Sequence, residues 1–564
     1  MNDNSHTRFA GRSGRFRAKG LCMAGILLVA LALRLSGITW SLPFDGEPRT
    51  IPSDEDYVMR TLRSVDFAKG EFTPTGAHIE GTLGYYIYQL GIIAAKATGI
   101  LDVYPHQAAP ESRQQSLTIL VGRLTTAFFD VVSVGIVYLV LRRMRLAWPF
   151  ACVGAVVFAV MPFEVIYSRY MRPHVLANFF VLLAMLMSVR MTQSLRQRWV
   201  FLAGFFCGLA GATRYPGVLA ATVPFTTLVY DELFTRGKLR LGPLGACQAL
   251  LGRGAALVLG LGLGFFLADP MLFLDFKTAL APVLMVLKSA DFSQFNTGSL
   301  DNFNKLWEYL ALILPKGAAP HLWILLYTAF FVALAFGRSR RHATPLAAFV
   351  LVVWYLMGKG YYFRAEFVRT LIQAFPPLAV LTGLATAVVW DKLRSRPAKA
   401  ALAAALCFFI GGAAVFDVAY ARGMIDNVYP DHQLIEYIKS LGHGQPVRVG
   451  YAIVNPYWDP PVTSPPFADK PEIVITPLYH DTPVEVAESQ DYICLRTFMA
   501  GDRVLNRAFS EKLLARGKFT EVKEFGTGLS FAGISFDDME LPHDMGYPFV
   551  RYLVLRSAAL GPGK

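Results

Sequence analysis

The chain has 564 residues, 54% of them hydrophobic and only 17% charged, with a mean hydropathy of +0.40; this excludes an ordinary soluble protein and a disordered one. The formal net charge of +13 would suit nucleic acid, but after Arg422 13 basic residues meet 18 acidic ones, so the basic surplus lies in the hydrophobic part and reads as membrane orientation. Six cysteines in a chain of this length exclude a disulfide scaffold.

In chain order, apolar stretches near spanning length fall at about 21–38, 118–141, 147–166, 174–191, 199–212, 215–231, 252–269, 321–337, 343–357, 368–390 and 399–420. They predict about eleven transmembrane helices. Basic clusters at 8–19, 142–145, 190–198, 236–240, 338–341 and 392–399 then share one side. The positive-inside rule makes that side cytoplasmic, with the C-terminal region outside. The interruption Arg214-Tyr215-Pro216-Gly217 is decisive, because merging the fifth and sixth stretches would put every later basic loop on the wrong side.

The predicted organisation is a basic cytoplasmic N-terminus at 1–20, a membrane domain at 21–422 with outer loops at 39–117 and 269–321, and an outer domain at 423–564. The first loop contains two helix-like stretches, 54–69 and 83–98. The second is apolar enough to be mistaken for a span and suits a helix on the outer surface. The tail opens with a helical pattern from Pro430 and continues with strand-like runs at 447–454, 472–478, 491–499 and 552–555 and a helix near 506–516. The predicted fold class is therefore a polytopic α-helical membrane protein with a small C-terminal α/β domain.

Asp54-Glu55-Asp56 lies just past the first span. A partly desolvated carboxylate there is a better base than its ordinary pKa implies, although the same residues also suit the first turn of a helix, as cap and dipole partners. Arg364, Arg369 and Arg214 fall on the outer side, against the charge trend. Phosphate binding would account for them, as would pairing with Glu366 or snorkelling to headgroups. Arg172 and His174 lie where the third span returns as the fourth, and His174 suits an acid or base, a metal ligand, or a structural hydrogen bonder. Asp130 stands nearly alone in mid-span, as a functional group or a partner to a neighbouring helix. Gly260-Leu-Gly262-Leu-Gly264 has no strand before it and reads as close helix packing.

The order of Arg34-Leu-Ser-Gly-Ile38, Asp54-Glu55, Gly81-Thr-Leu-Gly-Tyr-Tyr-Ile-Tyr88, Gly122-Arg123-Leu124, Ser168-Arg-Tyr170, Gly208-Leu-Ala-Gly-Ala-Thr-Arg214-Tyr-Pro-Gly217 and Phe367-Val-Arg369-Thr-Leu-Ile-Gln-Ala-Phe-Pro-Pro377 resembles the GT-C superfamily of membrane glycosyltransferases. The branch is the family-39-like one of protein O-mannosyltransferases and lipid A aminoarabinose transferases, and the resemblance runs from about Arg34 to Tyr420. It implies inverting transfer of a hexosyl or pentosyl group from a polyprenyl-phosphate donor to an acceptor hydroxyl, in a bacterial inner membrane with the site and C-terminal domain facing the periplasm. By this resemblance Asp54 is the catalytic carboxylate, Glu55 its companion, and Arg369 the arginine that meets the lipid phosphate; Arg364 or Arg214, picked by outer position, is expected to help it. His174, Asp56 and Arg172 are auxiliary or acceptor-side candidates. The resemblance requires no cofactor and leaves a divalent cation open. No His-Pro precedes Asp54-Glu55, and His174 stands where many relatives carry an acid. A transporter or flippase of lipid-linked glycan is the competing class, and an inactive lipid-binding scaffold the third. The first of these expects repeated halves and polar groups at the midplane.

Overall fold

The computed structural model describes residues 5–42, 53–67, 80–109, 112–194, 196–235, 243–274, 314–318, 320–360, 368–426, 430–441, 446–452, 472–478, 482–496, 511–526, 529–536 and 552–560, with isolated positions between them. The chain divides into two compact units. One comprises Met1–Ile38, Tyr57–Ala108 and Leu117–Asp417; the other comprises Thr39–Asp56, Ala109–Ser116 and Val418–Lys564.

The larger unit is built of helices: α1 (Ser5–Leu35), α2 (Ser53–Leu62), α3 (Leu83–Ala97), α4 (Arg113–Arg143), α5 (Trp148–Ala159), α6 (Pro162–Tyr167), α7 (Pro173–Gln193), α8 (Gln197–Thr213), α9 (Thr222–Tyr230), α10 (Pro243–Ala268), α11 (Leu322–Ala335), α12 (Gly337–Gly360), α13 (Phe375–Lys392) and α14 (Arg396–Asp426), α2 and the long helices α4 and α14 running across the division between units. Among the described residues five helices, Arg113–Arg143, Pro173–Gln193, Leu250–Ala268, Leu371–Lys392 and Arg396–Ile425, are long and apolar enough to cross a membrane. Of the other apolar stretches, 147–166 and 199–231 are broken, whereas 21–38 and 343–357 fall largely within the long helices α1 and α12. Pro162 separates α5 from α6, and Arg214 leads into a 3₁₀ segment, Tyr215–Ala221, before α9, because proline removes a donor and biases the residue before it away from the helical region.

The basic helix ends meet. Gln193 Nε2 donates to Arg143 O at 2.6 Å. Arg341 donates to both carboxylate oxygens of Asp231, at 2.8 and 2.7 Å, and to Thr192 O at 2.6 Å, and Arg253 pairs with Glu232. The far end of α9 therefore lies beside the end of α7, so the chain goes out along α8 and returns along α9 as two elements rather than one.

The glycine run at 260–264 is a packing seam. A Cβ on Gly260 or Gly264 would lie 2.1 Å from Phe201 O or 2.2 Å from Phe205 O, and one on Gly204 or Gly208 would lie 2.1 Å from Leu257 O or 2.2 Å from Leu261 O. Backbones of α8 and α10 thus touch directly, the small-residue packing that substitutes for a hydrophobic drive in lipid. Gly262 has nothing within 4 Å of its Cβ position. Gly264→Ala is expected to lower stability in detergent by about 1–3 kcal/mol through overpacking, whereas Gly262→Ala leaves the thermal midpoint unchanged or slightly raised; equal shifts would refute the seam.

Asp130 is paired. Arg34 Nε donates to its Oδ2 at 2.6 Å with both side chains fully buried, and Arg34 Nη1 donates to Ala159 O at 2.8 Å. Arg169 Nη2 donates to Leu33 O at 2.7 Å, and Arg123 Nη1 to Ile38 O at 2.7 Å. Three arginines of the family-like motifs thus bind carbonyls at or just past the ends of α1 and α5, where orphan acceptors and the negative dipole end favour them. Glu164, which accepts from Asn178 Nδ2 at 2.5 Å, and Asp417 are also fully buried. The expectation that Asp130 stands nearly alone is thereby corrected: an acid is easily overlooked when its partners are distant in sequence.

In the smaller unit, β1 (Val447–Ala452), β2 (Ile473–Leu478), β3 (Tyr492–Arg496), β4 (Phe519–Phe525), the β5–β6 hairpin (Ser530–Phe531, Ile534–Ser535) and β7 (Tyr552–Ser557) follow α15 (Pro430–Leu441). The five-stranded sheet has order β2-β1-β3-β7-β4, with β1 parallel to β2 and β3, and β7 antiparallel to β3 and β4. Leu434 and Ile438 of α15 pack with Val449, Tyr451, Cys494 and Val554, while Ile493, Leu495 and Leu555 meet Ala487 and Leu513 in a separate cluster. Helical residues therefore cover both faces, as an α/β layer requires. Strand β4 was not among the expected strands. It is a sheet edge on which only Phe519 and Phe525 are buried, so it lacks the apolar alternation of a strand with a buried face.

Candidate functional site

The site begins at the turn before α3. Gly81 has φ +102°, a conformation L side chains rarely adopt, and a Cβ there would lie 2.4 Å from Ala212 O. Thr82 Oγ1 donates to Ala268 O at 2.7 Å, and a Cβ on Gly84 would lie 2.8 Å from Pro173 Cβ. The family-like Gly-Thr-Leu-Gly run therefore docks one turn against the end of α8, the end of α10 and the start of α7. The same contacts bring together Glu80 before the turn, Arg214 just past α8, Asp269 just past α10 and His174 in the first turn of α7.

Arg214 Nη1 donates to Arg369 O at 2.9 Å, joining the end of α8 to the 3₁₀ segment Val368–Ala374. Arg214 is buried and Arg369 half-buried. Arg172 stacks over Tyr167 at 5.6 Å, and the Tyr167 ring lies 5.3 Å from that of His174. His174 is 1% exposed, and neither ring nitrogen has a hydrogen-bond partner among the described residues. The charges of Arg214, Arg172 and Arg369 all reach it.

Glu80 faces the same arginines. Desolvation raises its carboxyl above the ordinary value, against the pull of Arg214 and Arg369. Burial and the nearby Glu80 push the Tyr57 hydroxyl up to about 12. Tyr215 OH lies 3.5 Å from Asp269 Oδ2. Arg214, Arg172 and Arg369 thus lie within electrostatic reach of His174, and Arg214 and Arg369 within reach of the half-buried Glu80; guanidinium groups so gathered are able to hold an anion.

Of the residues picked from the sequence, Arg214, Arg369, Arg172 and His174 come together. Arg364 lies outside the described residues. Asp54 is in the first turn of α2, with its side chain outside what the structure describes; Glu55 is fully buried and Asp56 half-buried. Glu80, Tyr57 and Tyr85 were missed. The available signal for Glu80 was its place immediately before the Gly81 turn. Among the described residues no group of three or more His, Cys, Asp or Glu is placed to hold a metal ion.

Residues 101–278 match the family model of dolichyl-phosphate-mannose-protein mannosyltransferases, which meets the GT-C resemblance within that stretch. No curated protein matches the chain. The chain is similar to the oligosaccharyltransferase of Archaeoglobus fulgidus in complex with zinc and sulfate, at 15% identity and TM-score 0.42 over 76% of this chain and 60% of that one. It thus spans less than two thirds of that protein's length. Similarity to the AglB oligosaccharyltransferase of the same organism, with an inhibitory peptide and a dolichol-phosphate, is 14% at TM-score 0.45 over 95% and 77%. For ArnT of Cupriavidus metallidurans bound to undecaprenyl phosphate it is 13% at TM-score 0.43 over 96% and 99%.

Proposed function

We propose that this chain is a membrane glycosyltransferase that moves a sugar from a polyprenyl-phosphate donor to an acceptor hydroxyl, with inversion at the anomeric carbon. The observation that carries the reading is that the charges of Arg214, Arg172 and Arg369 converge on the buried ring of His174, whose nitrogens have no hydrogen-bond partner among the described residues, inside a helical unit that overlaps the mannosyltransferase family match. Guanidinium groups suit a departing lipid phosphate, because their forked donors match its oxygens and a low-dielectric setting amplifies the attraction. Asp54, by its resemblance to the family carboxylate, takes the proton of the attacking hydroxyl, and Glu55 or Asp56 supports it.

The test is to give the purified protein a polyprenyl-phosphate sugar and a hydroxyl acceptor and to follow release of free polyprenyl phosphate. Stoichiometric release with sugar transfer is expected. Movement of intact donor across a vesicle membrane without cleavage would instead favour the flippase reading.

The proposed orientation has about eleven spans, the site and the C-terminal unit in the periplasm, and the basic helix ends in the cytoplasm. Arg143, Arg190 and Arg341 lie on or beside the helix ends drawn together by the Gln193 and Arg341 contacts, a one-sided arrangement the positive-inside rule assigns to the cytoplasm. Cysteines replacing the exposed Glu485 and Arg340 separate the alternatives. With Cys407 replaced, an impermeant maleimide on intact spheroplasts is expected to label Glu485→Cys and spare Arg340→Cys; the opposite pattern overturns the orientation.

A further inference from the structure

Arg369 stands second in the 3₁₀ segment Val368–Ala374, and side chains from two other elements hold that segment by its carbonyls. Arg214 Nη1 donates to Arg369 O at 2.9 Å, and Asn178 Nδ2, on α7, donates to Ile372 O at 3.2 Å. Positions 369 and 372 are one 3₁₀ turn apart, so both bonds grip the same edge of the segment. The second bond has a covalent reason. Pro376, second residue of α13, has no N–H, and the carbonyl four residues before it, which an α-helix would serve from that position, is Ile372 O. Asn178 supplies a donor to a carbonyl that has lost its α-helical one.

The amide is itself held in place. The same Nδ2 donates to Glu164 Oε1, on α6, at 2.5 Å, and Asn178 and Glu164 are both fully buried. An amide nitrogen carries two protons, one for each acceptor, and a backbone carbonyl can only accept, which fixes the end of Asn178 that faces Ile372. The side chain cannot turn away from the 3₁₀ segment without also breaking its bond to α6. Tyr167, three residues after Glu164, has its ring 5.3 Å from that of His174, and His174 precedes Asn178 by four residues, on the same face of α7. The two helices therefore meet at two successive rungs, one at His174 and one at the segment that carries Arg369.

We infer that Asn178 is a positioning residue for Arg369: by tying Ile372 O to α7 and, through Glu164, to α6, it fixes the backbone from which the Arg369 guanidinium reaches a phosphate monoester. The inference rests on the donor-site reading above. Asn178 acts through the backbone and not on the phosphate. Its contribution is preorganisation, because a guanidinium fork matches phosphate oxygens only within a narrow range of geometry, and a displacement on the order of 1 Å can cost up to about a hundredfold. With the Arg214 anchor still in place, a part of that loss is expected.

The test uses the full-length protein in detergent and farnesyl phosphate as the probe, with affinity from titration calorimetry and the thermal midpoint of each preparation alongside. Asn178→Leu keeps the approximate size of the side chain and removes the donor. It also leaves the Glu164 carboxyl buried without its partner and can fail to fold. The second variant therefore combines Asn178→Leu with Glu164→Met, replacing both ends of that bond by apolar groups of similar shape, which costs little stability. Either variant is expected to bind the probe about tenfold less tightly than wild type. In an Arg369→Ala background the same change is expected to alter affinity by less than about twofold, since no guanidinium is left to aim. A merely structural role would move the thermal midpoint without producing this difference between backgrounds. Wild-type affinity in a folded Asn178 variant, or an equal loss in both backgrounds, would overturn the inference while the donor-site reading stands. Failure of the donor-site reading is distinct: Arg369→Ala by itself would then bind the probe as tightly as wild type, and both readings would fall.

Discussion

Asp54→Asn is expected to leave the protein folded and donor-binding while lowering sugar transfer by roughly two to four orders of magnitude, the contribution of a positioned general base. The substitution is nearly isosteric, and asparagine is as good as aspartate at the start of a helix. Asp54 lies in the first turn of α2, so a purely structural role predicts little change in either stability or turnover. The measurement is single-turnover transfer from a polyprenyl-phosphate sugar, with the thermal midpoint of the same preparation as the control. Near-normal transfer by a folded Asp54→Asn protein would return Asp54 to the helix start and move the search for a base to Glu55, Glu80 and His174.

Arg369→Ala is expected to weaken binding of a polyprenyl monophosphate about a hundredfold, and Arg369→Lys to weaken it by about 1–3 kcal/mol, because lysine keeps the charge and loses the fork. Arg369 also gives its carbonyl to Arg214 at 2.9 Å. That bond uses the backbone and survives either substitution, so the variants report on the guanidinium alone. Loss of transfer with unchanged phosphate affinity would place Arg369 outside the donor site. Arg214→Lys is the companion variant. It breaks the link to the 3₁₀ segment as well, and should disturb both affinity and the thermal midpoint.

The arginines were legible in part because, in the expected topology, they fall on the side whose loops otherwise carry few basic residues. Arg214 and Arg369 stood out by that rule alone, and the structure brings both near His174. Glu80 carried only its place before the Gly81 turn as a mark. Acidic residues are common between Thr39 and Ser116, where ten occur, and that place alone does not show that Arg214 and Arg369 act on it. Its role depends on Gly81 meeting Ala212, a contact between residues more than a hundred positions apart. Tyr57 and Tyr85 escaped for the same reason, since an aromatic residue on an amphipathic helix reads first as packing.

Asp130 shows the converse. A lone acid in a span suggests either function or a partner on a neighbouring helix, and Arg34, at the end of α1, pairs with it at 2.6 Å. The arginine was visible in the motif, whereas the pairing required two helices to be packed together.

Composition and hydropathy sufficed to read a membrane protein, and the strand-like runs of the tail anticipated strands near the C-terminus, because lipid solvation and strand periodicity act on short stretches of chain independently of their neighbours. The glycine run at 260–264 could likewise be assigned to packing from its setting inside a span. Tertiary structure alone decided which face of that run meets α8, which acid opposes Arg214 and Arg369, and which charged residues are merely paired. Those outcomes depend on distances between segments remote in sequence. In a low-dielectric interior, a few ångströms separate a neutralised ion pair from a site that can take an anion.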